Sequence, residues 1–415
     1  MRKLLMGLGG LVLVLLVGAG IGIAVWARGI DVAAASADLH LEPDPLGAYG
    51  DAPPVTDSAG WDVRAPLLRS AFEREIYGQT PDLGVARVAA KAPLEIAGLE
   101  FARVEEWPVE LADGRRFNML VVAPKNATGT VPVIVMELFC SVRDAVPGRP
   151  EAIPAALTPT YKGCGASLVT FILGRYISGP PFETVLNRGY ALALFYPGDV
   201  VADDAALAAP VLEAIGGTPR AGALGVWAQL YSKAYDVLAA DQRFDASRIA
   251  IWGHSRHGKS ALLAGASDPR FWAVIAHQSG RFGASPTESE RGESRAKILE
   301  HYGYWFTPGL TEISPLSVDQ HVLIALNAPT PLLLTHGAGD FWSDPSGAWR
   351  AAQAASPVYR LLGSTGFTQT SPDEPDFSAD LVYAQRPGGH GVTTSDWRMF
   401  LSFLDAHRAH PAHGR

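Results

Sequence analysis

Short apolar runs recur along the chain, and the stretches between them carry apolar positions three and four apart. The runs at 131–136 (VPVIVM), 190–196 (YALALFY), 249–252 (IAIW), 273–276 (AVIA) and 332–335 (LLLT) are nearly unbroken. Such runs suit parallel strands covered on both faces, because a half-exposed strand would alternate apolar with polar residues. Residues 224–240 have helical spacing, 395–406 predict the last helix, and 61–77 read as an amphipathic helix. Ahead of the first run, RVEEWPVELADGRRFNMLVVAPKN predicts a hairpin turning at Asp113 and Gly114. Strands alternating with helices predict an α/β fold: a mostly parallel, doubly wound sheet with helices on both faces, a three-layer αβα sandwich.

Domain organisation follows from where this pattern begins and ends. Residues 61–408 carry it without an internal repeat and predict one catalytic domain, with 409–415 as a polar tail. Residues 38–60 are rich in Pro, Asp and Gly and read as a linker or arm, and the Pro- and Gly-rich stretch 140–183 reads as an insertion over the sheet edge. At the N-terminus, Arg2 and Lys3 precede the apolar run 4–26, and Arg28 follows it. Two positive charges followed by about twenty apolar or glycine residues mark an export signal, and the run is also long enough to span a bilayer. The small residues at 33–37 (AAASA) offer a cleavage site, so 1–37 is either a signal peptide or an uncleaved signal anchor. Either reading leaves the positive charges inside and the bulk of the chain periplasmic or extracellular.

Composition narrows the partners. The 415 residues carry a net charge of −8, which argues against a general nucleic-acid binder. Cys140 and Cys164 are the only cysteines: one disulfide or two separate thiols, and no stapled framework. No Cys/His spacing suggests zinc, and nothing requires an organic cofactor.

The stretch GHSRHGKS at 253–260 supports two chemistries. It satisfies G-x-x-x-x-G-K-[ST], the phosphate-cradling loop. It also sets Ser255 two residues after a glycine and directly behind a strand, as a nucleophile elbow does. A phosphate loop needs a later strand ending in an aspartate that holds magnesium. The next strand here, FWAVIAHQSG, ends in Gln278, Ser279 and Gly280. The elbow needs an acid and then a histidine downstream, and both are present. PLLLTHGAGDFWSDP places Asp340 just past a strand's C-terminal end, and RPGGHGVTTSDW places His390 in a loop before the last helix. Asp344 competes for the acid role, but it precedes Pro345 and suits a turn or a helix cap. The order Ser255, Asp340, His390 is that of an α/β-hydrolase. Arg256 and Lys259 would lie in the first helical turn behind Ser255, where cations oppose the helix dipole by ~0.3–1 kcal/mol each. A site that must meet an oxyanion accepts that cost.

With these residues in hand, the chain resembles the glucuronoyl esterases, carbohydrate esterase family 15, from about residue 61 to 405. The elbow GHSRHGKSALLAGA matches the family's G-[CH]-S-R-x-G-K, and SDPRFWAVIAHQSG, SVDQHVLIALNAPTP, GDFWSDPSG, PVYRLLG and GGHGVTTSDW follow in order. The resemblance implies a serine esterase acting on esters between 4-O-methyl-glucuronic acid side chains of xylan and alcohols, often of lignin. It implies Ser255 as nucleophile, His390 as general base, Asp340 as acid and Arg256 as part of the oxyanion hole. It further implies Lys259, Glu293 and Trp342 as sugar contacts. The substrate partner would be glucuronoxylan or a lignin–carbohydrate ester, and the chain is expected to act as a monomer. A broader carbohydrate or aromatic-acid esterase, such as an acetyl xylan esterase, is the alternative.

Two departures stand out. Some members carry the acid as Glu where this chain has Gln278, and the family's Gly-Gly is replaced by Arg281-Phe282-Gly283, residues bulky enough to reshape the pocket. The second oxyanion donor is expected near MELFCSVRD, at 136–144, which lacks the usual glycines.

Overall fold

The structure is a computed structural model and describes residues 31–36, 41–148, 150–153 and 174–409. Most of the predicted export segment, Cys164, residues 149 and 154–173 of the expected insertion and nearly all of the polar tail lie outside the described residues. Among the described residues no helix is long and apolar enough to cross a membrane.

Ten strands form one sheet: β1 (Arg87–Val88), β2 (Ala92–Leu94), β3 (Ala102–Glu110), β4 (Arg116–Pro124), β5 (Val131–Glu137), β6 (Ala191–Phe195), β7 (Phe244–His254), β8 (Ala273–His277), β9 (Leu332–Gly337) and β10 (Leu381–Arg386). Their order is β1-β3-β4-β6-β5-β7-β8-β9-β10, with β2 also on β3. β3 and β4 form the expected hairpin, pairing from Ala102↔Pro124 to Glu110↔Arg116. Strands β5 to β10 are parallel to one another, while β4 runs antiparallel to β6. This is the mostly parallel α/β-hydrolase-like sheet that the unbroken apolar runs predict.

Those runs are apolar on both sides because the sheet is buried on both sides. Val133 and Val135 of β5 join one core cluster, and Ile134 and Met136 join the other. Leu332 and Leu334 of β9 face the first cluster and Leu333 the second, as the two-residue period of a strand requires. The principal helices are α1 (Ser58–Phe72), α2 (Ala205–Ile215), α3 (Ala223–Ala239), α4 (Arg256–Ser267), α5 (Arg295–Tyr302), α6 (Gln320–Ala325), α7 (Pro345–Leu361) and α8 (Thr394–His407). Helices α1, α3, α4, α6 and α7 cover the first face, and α8 covers the second with Trp397, Phe400 and Leu404.

Helix α1 begins three residues before the expected position, because the Asp57 carboxylate caps it by accepting the Gly60 N–H at 2.7 Å. It gives way at 73–77 to a π-helical turn. Residues 41–57 lie along the domain: buried Arg64 of α1 donates to the carbonyls of Gly47 and Pro53, both at 2.7 Å. Leu41, Leu46 and Tyr49 pack on the core. The short helix Val32–Ser36 lies against α7.

The chain leaves β5 for β6 on one side and later returns to β7 on the other. Such a reversal opens a crevice at the strands' C-terminal ends, where open parallel sheets bind ligands. β7 ends at His254, so Ser255 emerges beside this crevice.

Candidate active site

Ser255 sits at φ 57°, ψ −120°, between β7 and α4. A non-glycine residue held at positive φ costs of order 1–3 kcal/mol and persists only where its surroundings enforce it. Here the Ser255 N–H donates to the His277 carbonyl at 2.8 Å, and the Ser255 carbonyl accepts the N–H of Gly258 at 2.9 Å. The turn is tight enough to demand Gly253: a Cβ there would lie 1.9 Å from the His257 carbonyl oxygen. A Cβ on Gly258 would come within 2.9 Å of the Ser279 side chain. The elbow therefore closes on Gly258, and His257 is free to turn inward.

Ser255, Arg256, Lys259, Glu293, Trp342 and His390 line one pocket, together with Gln278, Ser343, Tyr302 and Trp305. Asp340 lies behind His390, whose Nδ1 meets Asp340 Oδ2 at 2.7 Å. The Ser343 hydroxyl donates to the same oxygen at 2.5 Å, and the Ser343 N–H reaches Oδ1 at 3.3 Å. Asp340 is only 2% exposed; burial alone would raise its pKa, but the His390 hydrogen bond and charge hold it below the usual carboxylate range. Asp344, the rival acid, caps α7 by accepting the Gly347 N–H at 3.0 Å. A pocket serine with a histidine oriented by a buried carboxylate is an arrangement suited to nucleophilic acyl transfer.

Arg256 pairs with Asp203, which also accepts Tyr304 Oη at 2.6 Å and Trp305 Nε1 at 3.0 Å. Its guanidinium lies 4.9 Å from the Trp305 ring centroid and 5.2 Å from that of Tyr302. Burial works against the Asp203 charge, yet Arg256 keeps that carboxyl below its ordinary range. One turn on, Lys259 is 6% exposed and donates to the carbonyls of Ser279 and Arg281, the latter at 2.7 Å. Burial brings its pKa down to about 7, against the opposing pull of the nearby Glu293 carboxylate. Burial likewise raises Glu293, while Lys259 acts in the other direction. Trp342 is 54% exposed, which leaves its ring open at the pocket rim.

Several groups escape a reading of local sequence. Asp203 is one; its only local signal is a place shortly after β6. Glu137, at the end of β5, is fully buried and meets the Ser260 hydroxyl and His257 Nδ1, the latter at 3.1 Å. Burial drives the Glu137 pKa well up and brings His257 down to about 3, so burial works against charge on both partners of this contact. Gln278 holds the loop on either side of His390: its Oε1 accepts the Gly391 N–H at 2.7 Å, and its Nε2 donates to the Gly389 carbonyl at 3.2 Å. His254 lies 4.6 Å, centroid to centroid, from His390. Burial holds His254 far below its ordinary pKa, so it sets no charge against that ring.

The Phe139 ring of the 136–144 stretch packs 4.6 Å from His257. Cys140 is buried and disulfide-bonded. Among the described residues no group of three or more His, Cys, Asp or Glu is placed to hold a metal ion.

Comparison with known proteins bears on what such a site does. A family model described as fungal glucuronyl esterase matches residues 185–363. A carbohydrate esterase, MZ0003, from an unknown prokaryotic organism is 30% identical over 400 residues, covering 92% of each chain. A promiscuous CE15 esterase from a marine bacterial metagenome superposes with a TM-score of 0.77 at 27% identity, covering 91% of this chain and 100% of the other. A glucuronoyl esterase from Solibacter usitatus gives 0.75 at 28% identity, covering 89% and 99%. With similarity running the length of both chains, this protein belongs to carbohydrate esterase family 15, the glucuronoyl esterases, and is a carboxylic ester hydrolase of that family.

Proposed function

We propose that this chain hydrolyses the ester between a 4-O-methyl-glucuronic acid side chain of xylan and an alcohol, through an acyl-enzyme on Ser255. The observation that carries the reading is one pocket. It joins Ser255, at a strained elbow, to the 2.7 Å Asp340–His390 pair, with Lys259, Glu293 and Trp342 around them.

Ser255 Oγ attacks the ester carbonyl carbon while His390 Nε2 takes the hydroxyl proton. Asp340 keeps the other ring proton on Nδ1, so that Nε2 stays a base, and it stabilises the imidazolium that forms. The oxyanion is met by the Arg256 guanidinium and by the main-chain N–H following the nucleophile. His390 returns its proton to the departing alcohol. It then takes one from water, whose oxygen attacks the acyl carbon, and passes that proton to Ser255 Oγ as the acyl–serine C–O bond breaks and the uronate leaves. Lys259 and Glu293 suit the sugar hydroxyls, and the open Trp342 ring suits the sugar face.

A second, broader esterase reading is favoured by one observation: the marine-metagenome CE15 esterase that superposes along this chain is promiscuous. Methyl or benzyl glucuronate assayed against acetyl esters separates the two, with Ser255→Ala as control. Strong acetyl activity and none on glucuronate would sink the first reading. Turnover surviving in Ser255→Ala would sink the mechanism for both. Export is proposed on the charge order at Arg2, Lys3 and Arg28 around the apolar run 4–26. Fractionation of expressing cells tests it, and activity confined to the cytosol would overturn it.

A further inference from the structure

We propose that Arg281 is a positioning residue for sugar specificity: it holds the loop 286–293 so that Glu293 faces the uronate hydroxyls and Trp342 the sugar face. This rests on the proposed glucuronate site.

A guanidinium has five N–H donors in a rigid plane. Every one of those on Arg281 meets a main-chain carbonyl of that single loop. Nε donates to Glu293 at 2.6 Å, Nη1 to Pro286 at 3.3 Å and to Thr287, and Nη2 to Ser289 and to Arg291 at 2.8 Å. The side chain is 5% exposed. Carbonyls that converge in this way repel one another and would be left unpaired in the interior without the cation among them. Arg281 is therefore the element about which the loop is wound.

The last of the five carbonyls ties the loop to the site. Glu293 gives its carbonyl to Arg281 and its N–H to the Trp342 carbonyl at 2.9 Å. The carboxylate expected on a sugar hydroxyl and the ring expected over the sugar thus share one main-chain link. At the other end, Lys259 Nζ grips the Arg281 carbonyl at 2.7 Å. Lys259 and Glu293 both bond to residue 281, and Trp342 is tied to it through Glu293. None of these bonds involves Ser255, His390 or Asp340, so the positioning acts on substrate binding and not on the nucleophile. Lysine cannot replace the arginine: its three donors radiate from one nitrogen and cannot span carbonyls spread over eight residues.

The test uses the full chain with Arg281→Lys, Arg281→Ala, Glu293→Ala and the double variant Arg281→Lys/Glu293→Ala. Steady-state kinetics are measured on methyl glucuronate and on 4-nitrophenyl acetate, which lacks sugar hydroxyls. Arg281→Lys is expected to raise KM for the glucuronate ester about tenfold, with kcat within about twofold and KM for the acetate unchanged. The double variant is expected to be no worse than Glu293→Ala alone, because both changes remove one interaction. Free guanidinium at a sub-denaturing concentration is expected to reverse part of the KM increase in Arg281→Ala. An unchanged glucuronate KM, an equal loss on both esters, or additive losses in the double variant would overturn the proposal.

Hydrogen exchange of amides 286–293 is followed in parallel and does not depend on the substrate. It should speed up in Arg281→Lys while exchange in β5 to β9 stays slow. No change would refute the loop-holding step, and general acceleration would mean that the variant has lost its fold. If the wild type ignores glucuronate esters, the substrate reading fails by itself, and exchange still decides whether Arg281 organises the loop.

Discussion

Replacing Asp340 with Asn is the sharpest test of the acid assignment, because the structure shows what an amide would face. Three donors point at the carboxylate: His390 Nδ1 at 2.7 Å and the Ser343 hydroxyl at 2.5 Å on Oδ2, and the Ser343 N–H at 3.3 Å on Oδ1. Asparagine has one acceptor oxygen and one NH2 group. With its NH2 toward His390, the imidazole must carry its proton on Nε2 and can no longer act as a base. With its oxygen toward His390, NH2 opposes the Ser343 N–H in a buried place, at a cost of about 1–3 kcal/mol. In neither orientation does a negative charge balance the imidazolium. The combined penalty resembles that measured for such substitutions in serine triads, about 10⁴ in kcat, or roughly 5.5 kcal/mol. We expect Asp340→Asn to lose 10³–10⁴ in kcat on methyl glucuronate, with KM little changed. Asp344→Asn keeps a side chain able to cap α7 and should stay within about threefold of wild type. The assay is steady-state hydrolysis with both proteins checked for folding. A reversed ranking, or Asp340→Asn within tenfold of wild type, would refute the assignment. Stability gives an independent readout. The folded pKa of Asp340 is depressed, so its contribution is present above the unfolded value near pH 4 and is lost as pH falls through the lower folded value. Asp340→Asn should flatten that acid limb of the unfolding curve.

Three further outcomes are expected. Ser255→Gly removes the cost of a side chain at φ 57°, so it should abolish turnover while raising thermal stability by about 1 kcal/mol; a lower melting temperature would argue against strain at the elbow. Gln278→Ala releases both flanks of His390 and should lower kcat about tenfold without a matching change in KM, so a pure KM effect would mean that Gln278 touches substrate instead. Lys259, with burial bringing its pKa to about 7, should lose its proton as pH rises through neutrality, so KM for the glucuronate ester should climb above pH 7 in wild type but not in Lys259→Met. The folded state binds fewer protons there than the unfolded chain, so the penalty of burying this lysine is greatest below pH 7 and fades between about pH 7 and pH 10.4.

The nucleophile elbow, the acid loop and the histidine loop were legible because each is a local pattern. Gly253 precedes Ser255 between a strand and a helix, a strand and two glycines lead to Asp340, and His390 stands in a loop ahead of α8. Asp340 as the candidate acid and Asp344 as a turn or cap residue were readable too, but the 2.7 Å contact of Asp340 with His390 and the Asp344 cap on α7 are seen only in the fold. Both aspartates lie in the same loop and differ in what they meet 50 residues away. The bulk at Arg281 and Phe282 was visible as a departure, but its consequence was not: the arginine turns to five main-chain carbonyls, and a carbonyl has no residue type for a sequence to betray.

The sequence by itself determined the layered α/β architecture, since the period of apolar residues fixes which faces must be buried. It also determined the order of the candidate nucleophile, acid and base along the chain. Tertiary structure alone decided which polar groups work together. Asp203 meets Arg256 across 53 positions, Glu137 meets His257 across 120, and Gln278 reaches Gly391 across 113. These contacts exist because parallel strands bring their C-terminal ends to one edge, so loops remote in sequence share a pocket. A local pattern can say that a residue stands at such an edge, but only the packed sheet says which other loop it faces.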